Sequence, residues 1–144
     1  ASASQPGVRY TYYEGTFSRV DDIRGERPVA TGILPEPSID GAPQEDHFAY
    51  LFEGLVRIPQ RGVWEFSTRS DDGSVLLIDG RRVVDNDGSH AAVTATGRVA
   101  LAAGLHRFEL LYFEDYEGQE LSWGWRAPGS GEFSPVPAEN LFVK

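Results

Sequence analysis

Apolar residues in this chain recur at every second position, and no long stretch carries them at helical spacing. Phe48, Tyr50, Phe52, Val56 and Ile58 keep one parity, with Gly54 holding the intervening place. Trp64 and Phe66, Leu76 and Ile78, Phe108, Leu110 and Tyr112, then Leu121, Trp123 and Trp125 repeat the pattern. Side chains two apart stand on the same face of a strand, so each run offers one apolar face to a core. Such strands, separated by glycine-containing turns, predict an all-β single domain, an antiparallel β-sandwich (jelly-roll-like) or a barrel. Asp79-Gly80 marks a hairpin between Val75–Ile78 and Arg81–Val84, because glycine tolerates the positive φ of a primed turn. Ala103-Gly104 joins Val99–Leu101 to Leu105–Phe113 in the same way, and Pro59–Gly62 turns the chain between two aromatic-rich strands. The segment Asp21–Pro43 holds Pro28, Pro35, Pro37 and Pro43 and predicts an extended wrapping segment, since proline cannot donate to a central ladder. Ala138–Leu141, after Pro135-Val136-Pro137, predicts a single helical turn.

With 144 residues, 40% of them hydrophobic, the chain can bury one substantial core. The first residues, 1–7, read as a linker or processed terminus, and 8–144 as the sandwich domain. The chain is accordingly expected to be one excised module of a longer protein, or a processed form. No apolar run is long enough to span a bilayer as a helix, so no membrane insertion is expected. A net charge of −9 argues against nucleic acid and suits cations, neutral sugars or a basic partner. The absence of cysteine excludes disulfides, thiolate metal sites and a cysteine nucleophile.

Between the strand-like runs Val63–Thr68 and Val75–Asp79 lies Ser70-Asp71-Asp72-Gly73-Ser74. Adjacent carboxylates at a loop tip repel unless water or a cation screens them. Two readings stand: a solvated turn built from ordinary turn residues, or a site for a hard cation such as calcium, which takes about 6–8 oxygen ligands. Asp85-Asn86-Asp87-Gly88 imitates the start of an EF-hand loop but lacks the glutamate at its end and the flanking helices, so a turn after a strand is expected, with Asn86 or Asp85 facing the ligand mouth. His90 and His106 are too scattered for a zinc triad and read as hydrogen-bonded structural residues. Trp123 and Trp125 share a face and read as core.

Several of these segments, taken in order, resemble a known family. Tyr12-Tyr13-Glu14-Gly15-Thr16-Phe17 opens the series, followed by Phe52-Glu53-Gly54-Leu55-Val56, Gly62-Val63-Trp64-Glu65-Phe66 and Ser70–Gly80. Val83–His90, Leu101–His106, Tyr112-Phe113-Glu114 and Leu121-Ser122-Trp123 complete it. Their order and spacing resemble the protective-antigen fourteen-kilodalton domain, a β-sandwich of bacterial glycosidases, adhesins and toxins and of yeast flocculins. In members that act as lectins, two adjacent aspartates joined by a cis peptide hold calcium, and Asp71 and Asp72 stand at the matching positions. A second loop supplies further oxygens there; its counterpart is Glu114–Glu120, with Asp115, Tyr116, Gly118 and Gln119 as the candidate ligands. This loop departs from the flocculins in having no asparagine. Tyr116, at the centre of a polar loop, is the candidate for stacking on a sugar.

The resemblance implies a non-catalytic, calcium-dependent carbohydrate-binding module of a secreted or surface-anchored glycosidase or adhesin. Its ligand would be a glycan or monosaccharide, its site Asp71, Asp72, Tyr116 and Asn86, and its other contacts the remaining domains of the parent protein. No nucleophile elbow, phosphate loop or metalloprotease helix is present, and an adjacent carboxylate pair suits a shared ion better than opposite faces of a sugar ring. The rival expectation is a structural or protein-interaction sandwich without sugar binding, in which calcium only stabilises loops.

Overall fold

The computed structural model describes residues 5–17, 19–41, 46–88, 90–114 and 120–143. Twelve strands follow one another along the described residues. They are β1 (Gln5–Pro6), β2 (Val8–Glu14), β3 (Ala30–Leu34), β4 (Phe48–Ile58), β5 (Gly62–Asp71) and β6 (Ser74–Ile78). After them come β7 (Arg81–Asn86), β8 (Val93–Leu101), β9 (Gly104–Glu114), β10 (Glu120–Arg126), β11 (Ser134–Pro135) and β12 (Leu141–Val143). Short 3-10 helices occupy Val20–Gly25 and Ala138–Asn140.

The strands form two antiparallel sheets. The larger runs β1-β12-β4-β9-β6-β7, with β2 also pairing β4 and carrying β3 on its outer side. The smaller runs β11-β10-β5-β8. Between them the alternating residues meet as expected: Phe48, Tyr50, Phe52, Val56, Ile58, Phe108 and Leu110 from one sheet pack against Trp64, Phe66, Trp123 and Trp125 from the other. The rings engage at close range, with Trp64 and Trp125 centroids 4.8 Å apart within the smaller sheet and Phe108 and Trp123 5.0 Å apart across the layers. Such pairs add to stability beyond the area they bury.

A second core lies on the other face of the large sheet. Ala49, Leu51, Val75, Leu111 and Phe113, the opposite parity of the same strands, are covered by Tyr13, Phe17, Val20 and Ile23. The central strands β4 and β9 are thus buried on both faces over much of their length, which the single-faced alternation did not predict. The cover comes from residues just before the expected wrapping segment and from Ile23 at its start, in the Val20–Gly25 helix. Later in that segment β3 forms a strand, but an edge one, paired only to β2, as its flanking prolines require.

Two other expectations are revised. Gln5 and Pro6, read as linker, form β1 and pair with Phe142 and Val143. The turn expected at Ser70–Ser74 is tighter than predicted: β5 runs through Asp71 and β6 begins at Ser74, leaving only Asp72 and Gly73 between them. The Asp79-Gly80 hairpin is as predicted, with both residues at positive φ (52° and 81°).

Candidate metal and ligand site

Inward positions of β5 begin apolar, with Trp64 and Phe66, and turn polar toward its end, with Thr68 and Ser70. The period of two continues; only the chemistry changes. Thr68, Ser70, Ser74 and Asn86 are all buried there and satisfy one another. The Asn86 Nδ2 donates to Val93 O (2.8 Å), Thr68 O (3.3 Å) and Ser70 Oγ (3.3 Å). Ser70 Oγ in turn donates to the carbonyl oxygen of Asp72 at 2.8 Å. Ser74 Oγ lies 2.7 Å from Ser70 Oγ and 3.0 Å from Thr68 Oγ1. This network is a brace behind the carboxylate pair, because a buried polar group must find partners and here each partner also fixes the backbone.

The Asp71–Asp72 peptide is cis. Backbone pairing sets the rest of the turn: Asp72 N donates to Phe113 O (3.3 Å) and Phe113 N to Gly73 O (3.0 Å). Those bonds bring Glu114, the last residue of β9, to the same place. One carboxylate oxygen from each of Asp71, Asp72 and Glu114 lies within 4.8 Å of the others. Asp71 is half-buried, Asp72 4% exposed and Glu114 0% exposed.

The surroundings of these three groups are unequal. Asp72 Oδ1 accepts the His90 N–H at 2.9 Å, from the loop between β7 and β8. That loop is itself held, since the His90 ring bridges the carbonyls of Asn86 (2.8 Å) and Ala91 (2.7 Å). The Tyr112 hydroxyl donates to the Asp71 carbonyl oxygen. Burial, then the charge of Asp72, holds the Asp71 carboxyl above its ordinary value. Glu114 is pushed up to about 9, chiefly by burial and then by the neighbouring Asp72 carboxyl. Neither Glu114 oxygen accepts a hydrogen bond from a donor among the described residues. Its closest polar company is another acid, so either a proton or a cation must lie between them.

The donor set fits a hard dication. Carboxylate oxygens bind calcium at about 2.3–2.6 Å, so oxygens on opposite sides of one ion stand about 5 Å apart. An uncompensated buried carboxylate is the group such an ion would stabilise most. Beside the pair a groove of about 380 Å³ is lined by Glu36, Pro37, Ser38, Ile39, Asp40, Glu120 and Leu121. Glu120 faces Asp71 across the β5–β10 ladder and carries its negative charge next to Arg69 at 2.5 Å.

A family model of the PA14 domain matches residues 4–139. The chain belongs to the PA14 domain family. No curated protein matches the sequence. Among solved structures, a PA14 sugar-binding domain from an RTX adhesin is 21% identical, with a TM-score of 0.80 over 98% of this chain and 100% of that one. The epithelial adhesin 6 A domain of Candida glabrata, in complex with Galβ1-3GlcNAc, is 12% identical, with a TM-score of 0.73 over 100% of this chain and 89% of that one. An anti-sigma factor domain-containing protein from Clostridium clariflavum is 20% identical, with a TM-score of 0.79. This PA14 domain covers 97% of itself in that match but spans only about half the length of the partner chain, 48%. These likenesses establish the shared sandwich.

Of the site residues expected from sequence, the fold brings Asp71 and Asp72 together. Asp115, Tyr116, Gly118 and Gln119 lie outside the described residues. Asn86 is placed differently from expectation: it is 7% exposed, and its amide nitrogen is committed to the internal network instead of facing a ligand mouth. In the sequence Glu114 stands only as the end of the Tyr112-Phe113-Glu114 segment and the first residue of the loop after it, not as a ligand. Its signal is the break after the apolar run Leu110–Phe113, where a carboxylate takes the next position on a strand buried on both faces.

Proposed function

We propose that this PA14 domain is a non-catalytic, calcium-dependent carbohydrate-binding module of a larger secreted or surface protein, a glycosidase or an adhesin. The observation that carries the reading is the convergence of the Asp71 and Asp72 carboxylates with Glu114 at one end of the sandwich, beside the acidic groove. Asp71 and Asp72 hold the ion, and Asp115, Tyr116, Gly118 and Gln119 of the following loop supply further oxygens. A bound calcium ion offers its remaining coordination places to sugar hydroxyls. The protein's own part is to fix the carboxylates, through the Asn86–Ser70–Asp72 bonds and the His90 N–H, and to present the groove alongside. The sugar-binding RTX adhesin domain and the disaccharide complex of the yeast adhesin support the ligand class.

Calorimetry and a glycan array, each with calcium and with a chelator, test this. Glycan binding is expected only with calcium, and Asp71→Asn and Asp72→Asn are expected to abolish it while leaving the chelated protein folded. A calcium-dependent rise in melting temperature without any glycan binding would instead support a structural module stabilised by the ion. Unchanged melting and unchanged glycan binding in both variants would refute the site.

A further inference from the structure

We propose that Glu114 is a direct ligand of the cation, joining Asp71 and Asp72 on it, and that it lets the site take up a dication with no sugar present. The proposal rests on the calcium reading above and gives Glu114 the role of a ligand, which that reading does not assign.

Glu114 is fully buried, and both its oxygens lack a donor among the described residues. The donors around it are committed elsewhere. The Tyr112 hydroxyl binds the Asp71 carbonyl, the His90 N–H binds Asp72 Oδ1, the Phe113 N–H binds the Gly73 carbonyl, and Ser70 Oγ binds the Asp72 carbonyl. Among the described residues the acids that press on this carboxylate are Asp72 and Asp71, each with an oxygen within 4.8 Å, and after them Asp46. Its position is fixed from both sides of β9, by the Phe48 pairing on β4 and by the Phe113–Gly73 bond. Three ionised carboxylates carry one more negative charge than a dication neutralises, so the ion needs no further anionic ligand to be held. Neutral hydroxyls or water then suffice for the outward places.

The test uses the whole chain, freed of metal with a chelator and titrated with calcium chloride alone in a calorimeter. Wild type is expected to take up the ion without sugar. Glu114→Gln, whose folding is checked by circular dichroism and melting in chelator, is expected to lose more than about 100-fold in calcium affinity. That exceeds the 10–100-fold typical of a residue that only orients a ligand. In wild-type protein the Glu114 side-chain carboxyl carbon is expected to shift in the ¹³C NMR spectrum as calcium is added, a readout that stands even if the variant does not fold. A variant within about 100-fold of wild type, or a Glu114 carbon indifferent to calcium, overturns the assignment and leaves Asp71 and Asp72 in place. No calcium uptake by wild type overturns both.

Discussion

Replacing Asn86 by alanine isolates the brace behind the carboxylate pair. The amide nitrogen has two hydrogens and serves three acceptors, the Val93 carbonyl at 2.8 Å and, more weakly, Thr68 O and Ser70 Oγ at 3.3 Å each. Two hydrogen bonds at about 1 kcal/mol apiece are lost, and at least one buried acceptor is left without a donor, a further ~1 kcal/mol or more. The sum is about 3 kcal/mol. At roughly 4 °C per kcal/mol for a chain of this size, the melting temperature should fall by about 12 °C. Urea unfolding should show a lower midpoint with an unchanged slope, because the surface exposed on unfolding stays the same. Ser70→Ala removes the next link, so the double variant should lose less than the sum of the two singles, by at least ~0.5 kcal/mol. A loss below about 1 kcal/mol for Asn86→Ala, or strict additivity with Ser70→Ala, would refute the network as a connected brace.

Two further outcomes test parts of the fold away from the site. His106 Nδ1 lies 2.6 Å from Asp79 Oδ2 and its Nε2 2.8 Å from Ala102 O; burial alone would lower its pKa, and these acceptors outweigh that and raise it. A raised histidine pKa stabilises the fold fully below the unfolded value of about 6.5 and loses that contribution as pH climbs through the folded value. Asp79→Asn, which keeps a residue tolerant of positive φ, should therefore lower the melting temperature at pH 5.5 more than at pH 8.5; equal losses at both would sink the idea. Gly97→Ala should unfold the protein or cost more than about 3 kcal/mol by denaturant titration, because an added Cβ would stand 1.7 Å from the Val83 carbonyl oxygen where β7 approaches β8. A near-normal midpoint for that variant would show that the two strands are not held as close as described.

The strands and their inward faces were legible because period two is a local property: Phe48, Tyr50, Phe52, Trp64, Phe66, Leu110 and Trp123 declare a face without reference to any neighbour. Asp71-Asp72 was legible for the same reason, as two like charges side by side in one turn. The double burial of β4 and β9 was not, since Ala49, Leu51 and Phe113 acquire a cover only when residues from the Tyr13–Ile23 region fold back over the sheet. Asn86 looked like a loop residue from its Asp and Gly neighbours, but it sits on the end of β7 against β5, which only the approach of the two sheets brings about.

By itself, then, the sequence determined the class of fold, the inward parity of its strands and the presence of a carboxylate pair, all of which follow from side chains within a few positions of one another. Tertiary structure decided which third carboxylate joins that pair. Glu114 is forty-two positions beyond Asp72 and meets it only because Phe113 pairs with the Asp72–Gly73 backbone at the end of the sheet. Register, a long-range property of hydrogen-bonded strands, turns two adjacent acids into a three-carboxylate site.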